Sequence, residues 1–282
     1  MQLKNPKGHV FIPDGAETGQ ALRRTTHLCI AAHQDDVEIM AYGPIAHCYE
    51  KPDAWFSAAV VTDGAGSPRA GQYASMTDEE MQKVRAREQD EAARIGKYSV
   101  MLQLGYPSKA VKSKGDGLCA AEMAELIRKT KPEVLYTHNF ADKHDTHVGV
   151  ALRVLEALRS LAPEERPQKV YSLEVWRGLD WVADENKVVF DTAPYPEVAE
   201  KILNVFASQC AGGKRYDLAA IGRRLANATF FASHDVDSVD SCSYGLDITA
   251  LMEDETLTPQ AFVEKHIEDL RLETAGRLGR MK

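Results

Sequence analysis

The sequence predicts an α/β protein of Rossmann-like, three-layer α/β/α type around a mostly parallel sheet. Three observations predict it. Short apolar runs recur along the first two thirds of the chain, at lengths that suit buried strands. Segments with helical period and capping residues lie between them. The residues able to do chemistry cluster directly after the apolar runs, where open parallel sheets place their ligands.

In chain order, His27 to Ala32 (HLCIAA) reads as a buried strand, followed by a helix over Val37 to Tyr49. Trp55 to Thr62 (WFSAAVVT) is a second strand, ending in Asp63-Gly64-Ala65-Gly66. A charged helix is expected from Thr77 to Gly96, because its Thr-Asp-Glu-Glu start suits an N-cap and the positive end of the helix dipole. Val100 to Leu104 is a third strand, Ala120 to Thr130 a helix and Glu133 to Thr137 a fourth strand. His147 to Leu161 is helical, with Val148, Leu152, Leu155 and Leu158 on one face. Val170 to Trp176 and Val188 to Phe190 read as further strands, and 196–207, 217–232 and 259–278 as helices. There is no internal repeat and no Pro/Gly/Ser-rich linker. The expectation is therefore one domain over 1–282, with a core over 1–162 and a C-terminal part, 163–282, that walls the pocket.

Composition narrows the function. The 282 residues carry 34 Lys plus Arg against 42 Asp plus Glu, a net charge of −8. An acidic chain lacks the basic face that general nucleic-acid binding needs. No stretch approaches the roughly 18 apolar residues of a membrane span. The start, MQLKNPKGHVFIPDG, has no apolar core of a secretory signal, so a cytoplasmic protein is expected. Cys29, Cys48, Cys119, Cys210 and Cys242 are odd in number and contain no CxxC, which argues for free thiols over disulfides or a cysteine zinc site.

Two polar clusters carry the chemistry. The first, His33-Gln34-Asp35-Asp36, follows the first strand. Adjacent acids beside an imidazole are costly unless a cation compensates them, and a turn into a helix can aim His33 and Asp36 at one point. Asp35 then stands beside the ion without binding it. The second, His144-Asp145-Thr146-His147, opens the helix after the fourth strand, where His147 could supply a third ligand. Two His and one carboxylate leave a coordination position open, as catalytic metals require. The bland alternatives are an N-cap and dipole partner for Asp35 and Asp36, and structural roles for each histidine.

The stretch AHQDDVEIMAYG resembles the AHPDDxE motif of the PIG-L/LmbE-like N-acetylglucosaminyl de-N-acetylases. The resemblance runs from about Thr26 to about Leu158. It includes Val61-Thr62-Asp63-Gly64, Arg85-Ala86-Arg87-Glu88 with Ala92-Ala93-Arg94-Ile95-Gly96, and His144-Asp145-Thr146-His147, which is similar to the family's HPDH. It implies an LmbE-like fold and a Zn2+ ion, or another divalent ion such as Fe2+, held by His33, Asp36 and His147. It implies Asp35 as general base and His144 as the group that stabilises the oxyanion or protonates the departing amine. The implied substrate is an N-acetylated amino sugar or its conjugate, and relatives of this kind are often homo-oligomers. Asp63 is a candidate for a sugar hydroxyl and Arg69 for substrate binding, against turn-capping and solvated-loop roles. Two positions depart from the pattern. Gln34 stands for the family's Pro, and Thr146 for the Asp of HPDH, which Asp145 or Asp142 would have to replace.

The remaining polar residues read as structural. Arg85 and Glu88 are expected to pair along a helix, and His138 to be a satisfied loop histidine. Tyr73, Tyr106 and Trp176 are expected to pack, and His234 lies in an acidic loop that could reach the mouth of the site. Two other functions compete. A non-haem Fe(II) oxygenase fits the ligand set but usually places its first pair as His-x-Asp on a β scaffold. A non-catalytic or differently specialised LmbE-like carbohydrate- or nucleotide-binding protein is the other, although the turn after the first strand has no glycine-rich dinucleotide fingerprint.

Overall fold

Eight strands form one sheet in the computed structural model, which describes residues 1–113, 117–211 and 213–281. They are β1 (His9–Phe11), β2 (His27–Ala31), β3 (Phe56–Thr62), β4 (Met101–Tyr106), β5 (Val134–His138), β6 (Lys169–Leu173), β7 (Val188–Asp191) and β8 (Cys242–Asp247). Across the sheet the order is β1-β4-β3-β2-β5-β6-β8-β7. The five strands from β4 to β6 pair in parallel. Antiparallel pairings add β1 at one edge, and β8 and β7 at the other. The chain builds outward from β2 to β3 and β4, then returns to place β5 on the other side of β2. The crevice between β2 and β5 is therefore the topological switch point, where such sheets hold their ligands.

The central strands β2 to β5 are buried on both faces, and their side chains alternate between two cores. Leu28, Ile30, Ala59, Val61, Leu102 and Leu135 pack under the helices Leu118–Thr130 and Asp145–Ser160. Cys29, Ala31, Ala58, Val60, Met101 and Tyr136 pack on the other face, with Ile45 and Ile202 of the helices Tyr42–Cys48 and Pro196–Asn204. The helix Asp78–Ile95 starts as expected, with a reciprocal capping box between Thr77 and Glu80. Among the described residues, no helix is long and apolar enough to cross a membrane.

Three expectations need correction. The helix expected over Val37 to Tyr49 is two helices, Asp36–Met40 and Tyr42–Cys48, joined at Ala41. Pro44 has no N–H to bond the Met40 carbonyl, so the helix breaks there. The strand expected through Trp176 ends at Leu173, and the chain then carries Val175 and Trp176 out of the sheet. The antiparallel strands β1 and β8 escaped the sequence reading. One is only three residues long, and the other carries a glycine, Gly245, in its interior.

The short helix Asp36–Met40 is fixed from below by a buried polar network. The Tyr98 hydroxyl and Gln89 Nε2 both donate to Glu38 Oε1, at 2.7 and 2.8 Å. Gln89 Oε1 accepts the Asp35 amide at 3.1 Å. From the C-terminal part, buried Arg224 donates to the carbonyls of Glu38 and Ile39, at 2.6 and 3.2 Å. Burial pushes the Glu38 carboxyl up to about 8, against its hydrogen bonds to Tyr98 and Gln89. The folded state thus holds a proton that the unfolded chain releases near the ordinary Glu value. Stability from this group is full below about pH 4 and is lost as the pH rises through 8. In thermal unfolding, Glu38→Gln is expected to flatten the decline in Tm between pH 5 and pH 8; an unchanged slope would remove Glu38 as its source.

Candidate metal centre at the switch point

β2 ends at Ala31, and the next five residues turn back under the sheet edge. The turn is sharp because Asp35 adopts a left-handed backbone, φ +82°, a conformation Asp tolerates better than most residues. Gln34 pins the turn through its side chain. Its Nε2 donates to the Thr62 carbonyl at 3.3 Å and to Gln103 Oε1 at 3.1 Å. Gly64, at φ +72°, lets the loop after β3 pass over it; a Cβ there would lie 2.6 Å from Gln34 Oε1.

This turn and the start of the Asp145–Ser160 helix bring three ligand atoms together. His33 Nδ1 lies 3.1 Å from Asp36 Oδ2 and 3.1 Å from His147 Nε2. His147 Nε2 lies 3.2 Å from Asp36 Oδ2. Ligands about 2.0–2.1 Å from a tetrahedral centre stand roughly 3.3–3.4 Å apart, so the triad fits one small cation. Asp36 and His147 are 2% and 0% exposed, so water cannot take the place of that charge. The backbone N–H of His33 donates to Asp36 Oδ2 at 2.7 Å and fixes the carboxylate.

The charges around the triad suit metal ligation. Burial opposes the Asp36 charge, but the His147 and His33 rings outweigh it and hold the carboxyl well below its usual range. Burial likewise opposes charge on His147, but Asp36 and Asp142 push its pKa up to about 10. The position therefore demands positive charge, from a proton or an ion. Asp142 Oδ1 stands 3.5 Å from His147 Nδ1, the carboxylate–histidine arrangement that orients a metal-binding imidazole. Asp142 also accepts the His144 and Trp176 amides, at 2.9 and 3.0 Å. It thus braces His147 and the backbone, rather than replacing a carboxylate at Thr146. Buried Thr146 offers a hydroxyl without a hydrogen-bond partner, and it faces the pocket.

Asp35 lies beside the triad and outside it. Burial raises its pKa to about 6, with Arg85 opposing the rise and Asp36 adding to it. Arg85, itself buried, reaches Asp35 Oδ2 at 3.2 Å and also donates to the Gln34 carbonyl. The expected Arg85–Glu88 pair is loose, at 4.0 Å. Glu88 instead accepts the Ser208 amide and hydroxyl, at 2.7 and 2.6 Å. His144 Nδ1 accepts the Thr146 amide at 3.2 Å, so its proton sits on Nε2. Burial and the neighbouring imidazoles lower its pKa, which favours the neutral ring.

Other expected positions fall elsewhere. Asp63 caps its own turn through the Ala65 amide at 3.1 Å. Arg69 braces the Ala65 carbonyl at 2.8 Å and pairs with Asp78 at 2.5 Å. Neither side chain lines the cavity of about 330 Å³ over the triad. His138 ends β5 fully buried, and its Nε2 accepts the Ala32 amide at 2.8 Å. That lone pair is spent, so His138 stays outside the triad although it lies close to Asp36 and His147. His234 is exposed and away from this cavity. Trp176, expected to pack, forms a wall of it, together with Lys112, Lys214 and Tyr216. No spacing signal marks these four, because they come from separate segments joined only by the fold.

A family model described as PIG-L, GlcNAc-PI de-N-acetylase, matches residues 28–158. Solved structures with the same fold include a conserved protein from Thermus thermophilus, 18% identical with a TM-score of 0.63 over 79% of this chain and 94% of that one. The N,N'-diacetylchitobiose deacetylase from Pyrococcus horikoshii is 16% identical, with a TM-score of 0.64 over 81% of this chain and 85% of that one. The 4-carboxy-2-hydroxymuconate hydratase from Pseudomonas putida is also 16% identical, with a TM-score of 0.61 over 79% of this chain and 96% of that one. At these identities the structural likeness is one of fold. The expected mostly parallel sheet with helices on both faces is what the chain adopts.

Replacing Asp142 should leave three ligand atoms in place but remove the orienting carboxylate. Calorimetric titration of the chelator-treated protein with Zn2+ is expected to show affinity lowered about 10–100-fold in Asp142→Asn. Unaltered affinity would remove Asp142 from the centre.

Proposed function

With residues 28–158 identified as a PIG-L domain, we propose that the chain is a zinc-dependent de-N-acetylase acting on an N-acetylated amino sugar or sugar conjugate. The observation that carries this reading is the meeting of His33 Nδ1, Asp36 Oδ2 and His147 Nε2, with the Asp35 carboxylate held beside them by Arg85. Two imidazoles and one carboxylate suit zinc with an open position.

His33, Asp36 and His147 would hold the zinc. When bound it supplies Lewis acidity, polarising the amide carbonyl and lowering the pKa of water from 15.7 to about 7. Asp35 takes the proton from the attacking water. A pKa of about 6 leaves it ionised at neutral pH, yet basic enough to accept a proton. Arg85 keeps that carboxylate in place and ionised. His144, with its proton on Nε2, donates a hydrogen bond to the oxygen as it gains charge. The proton on Asp35 then passes to the departing nitrogen. Water has added to the carbonyl carbon and the C–N bond has broken; the acid and the amine formed exchange the remaining proton and leave as acetate and an ammonium. Trp176 and Tyr216 wall the cavity and limit bulk water around these transfers.

The expected signature separates chemistry from metal binding. Asp35→Asn should keep one metal per chain by elemental analysis, yet lose roughly 10²–10⁴-fold in kcat for acetate release. A variant that keeps the metal and full activity would rule out Asp35 as the base.

A further inference from the structure

Beside the cavity over the triad lies a second one of about 360 Å³. Ile39, Val175, Trp176, Lys214 and Tyr216 line both, so the two are direct neighbours. The annex has an apolar floor, with Ile39, Val175 and Ala220 among its residues. Its charged residues are all cations: Lys214, Arg215 and Arg223. Arg215 is neutralised by a two-pronged bond to Asp217, at 3.0 and 2.7 Å. Among the described residues neither Lys214 nor Arg223 forms an ion pair within 4.0 Å, although the Arg223 charge acts on buried Glu174 from beyond that distance. The exposed Lys214 places its ammonium 5.0 Å from the centre of the Trp176 ring, and half-buried Arg223 donates to the Val175 carbonyl.

Lys214, without an ion pair, and Arg223, offset only at a distance by Glu174, stand over an apolar floor in a chain whose net charge is −8. An organic anion satisfies such a seat, because its charge takes charge-assisted hydrogen bonds while its carbon skeleton covers the floor. We propose that the substrate carries an anionic group, a carboxylate or a phosphate, seated against Lys214 and Arg223 while its acetamide lies over the triad. Lys214 and Arg223 are then specificity-determining residues supplied by the C-terminal part of the chain. This inference rests on the de-N-acetylase reading for the placement of the acetamide, but the anion seat can be tested apart from it.

The test uses the full, zinc-loaded chain and three probes: methyl N-acetylglucosaminide, carboxymethyl N-acetylglucosaminide and N-acetylglucosamine 1-phosphate. Acetate release gives kcat/KM, and calorimetry gives affinity. At least one anion is expected to exceed the methyl glycoside roughly tenfold in kcat/KM, and which anion does so separates carboxylate from phosphate. Lys214→Gln and Arg223→Gln should each erase most of that preference through KM, and Lys214→Arg should retain it. Equal use of all three probes, or a preference that survives both Gln variants, overturns the seat. Anions that bind through Lys214 without acetate release would sink the de-N-acetylase reading and leave the seat standing. Absence of Lys214-dependent binding of either anion overturns the seat whatever the activity.

Discussion

One oxygen atom, Asp36 Oδ2, is the point on which the site closes. It accepts the His33 amide and faces both His33 Nδ1 and His147 Nε2 within 3.2 Å. Buried anions persist only when paired, so this oxygen commits the surrounding structure to supplying positive charge. The fold answers in two places. The triad accepts a cation directly, and Arg85 offsets the second carboxylate, Asp35, from the opposite side. The division gives two neighbouring acids separate roles. Asp36 is held ionised as a ligand, while burial raises the Asp35 pKa to about 6, so that it can accept a proton.

The same commitment explains how the C-terminal part serves the site. Arg224 reaches from the helix Tyr216–Thr229 to cap the carbonyls at the end of the Asp36–Met40 helix. A five-residue helix has little stability of its own, so these bonds, with the Glu38–Gln89–Tyr98 network, hold the ligand turn in shape. Ser208 occupies Glu88 and so leaves Arg85 to Asp35. Trp176, carried out of the sheet beyond β6, rests its amide on Asp142, which also faces His147. The pocket wall and the orientation of a ligand are thereby coupled through one carboxylate.

Much of this was legible in the sequence. The burial of β2, β3 and β4 on both faces leaves long apolar runs that only buried strands explain. The polar residues at their ends, His33, Asp36 and His147, meet because strand order dictates that β2 and β5 be neighbours. The illegible parts depend on atoms that carry no periodic signal. Pro44 breaks a helix through a missing N–H, and a spacing argument misses it. Arg85 sits three residues from Glu88, so local sequence favours that pair, whereas tertiary packing turns it toward Asp35. Asp63 and Arg69 occupy a loop whose own hydrogen bonds consume them. Lys214 and Arg223 come from a region without a motif, and only the fold places Lys214 in the cavity over the triad and Arg223 in the one beside it.

The account stands or falls on whether His33, Asp36 and His147 hold one ion together. X-ray absorption at the zinc edge of the loaded protein addresses this directly. It should show nitrogen and oxygen ligands at about 2.0–2.1 Å, with outer-shell scattering from two imidazoles that falls to one in His147→Ala. Sulfur at about 2.3 Å, or a spectrum unchanged by that substitution, would contradict it.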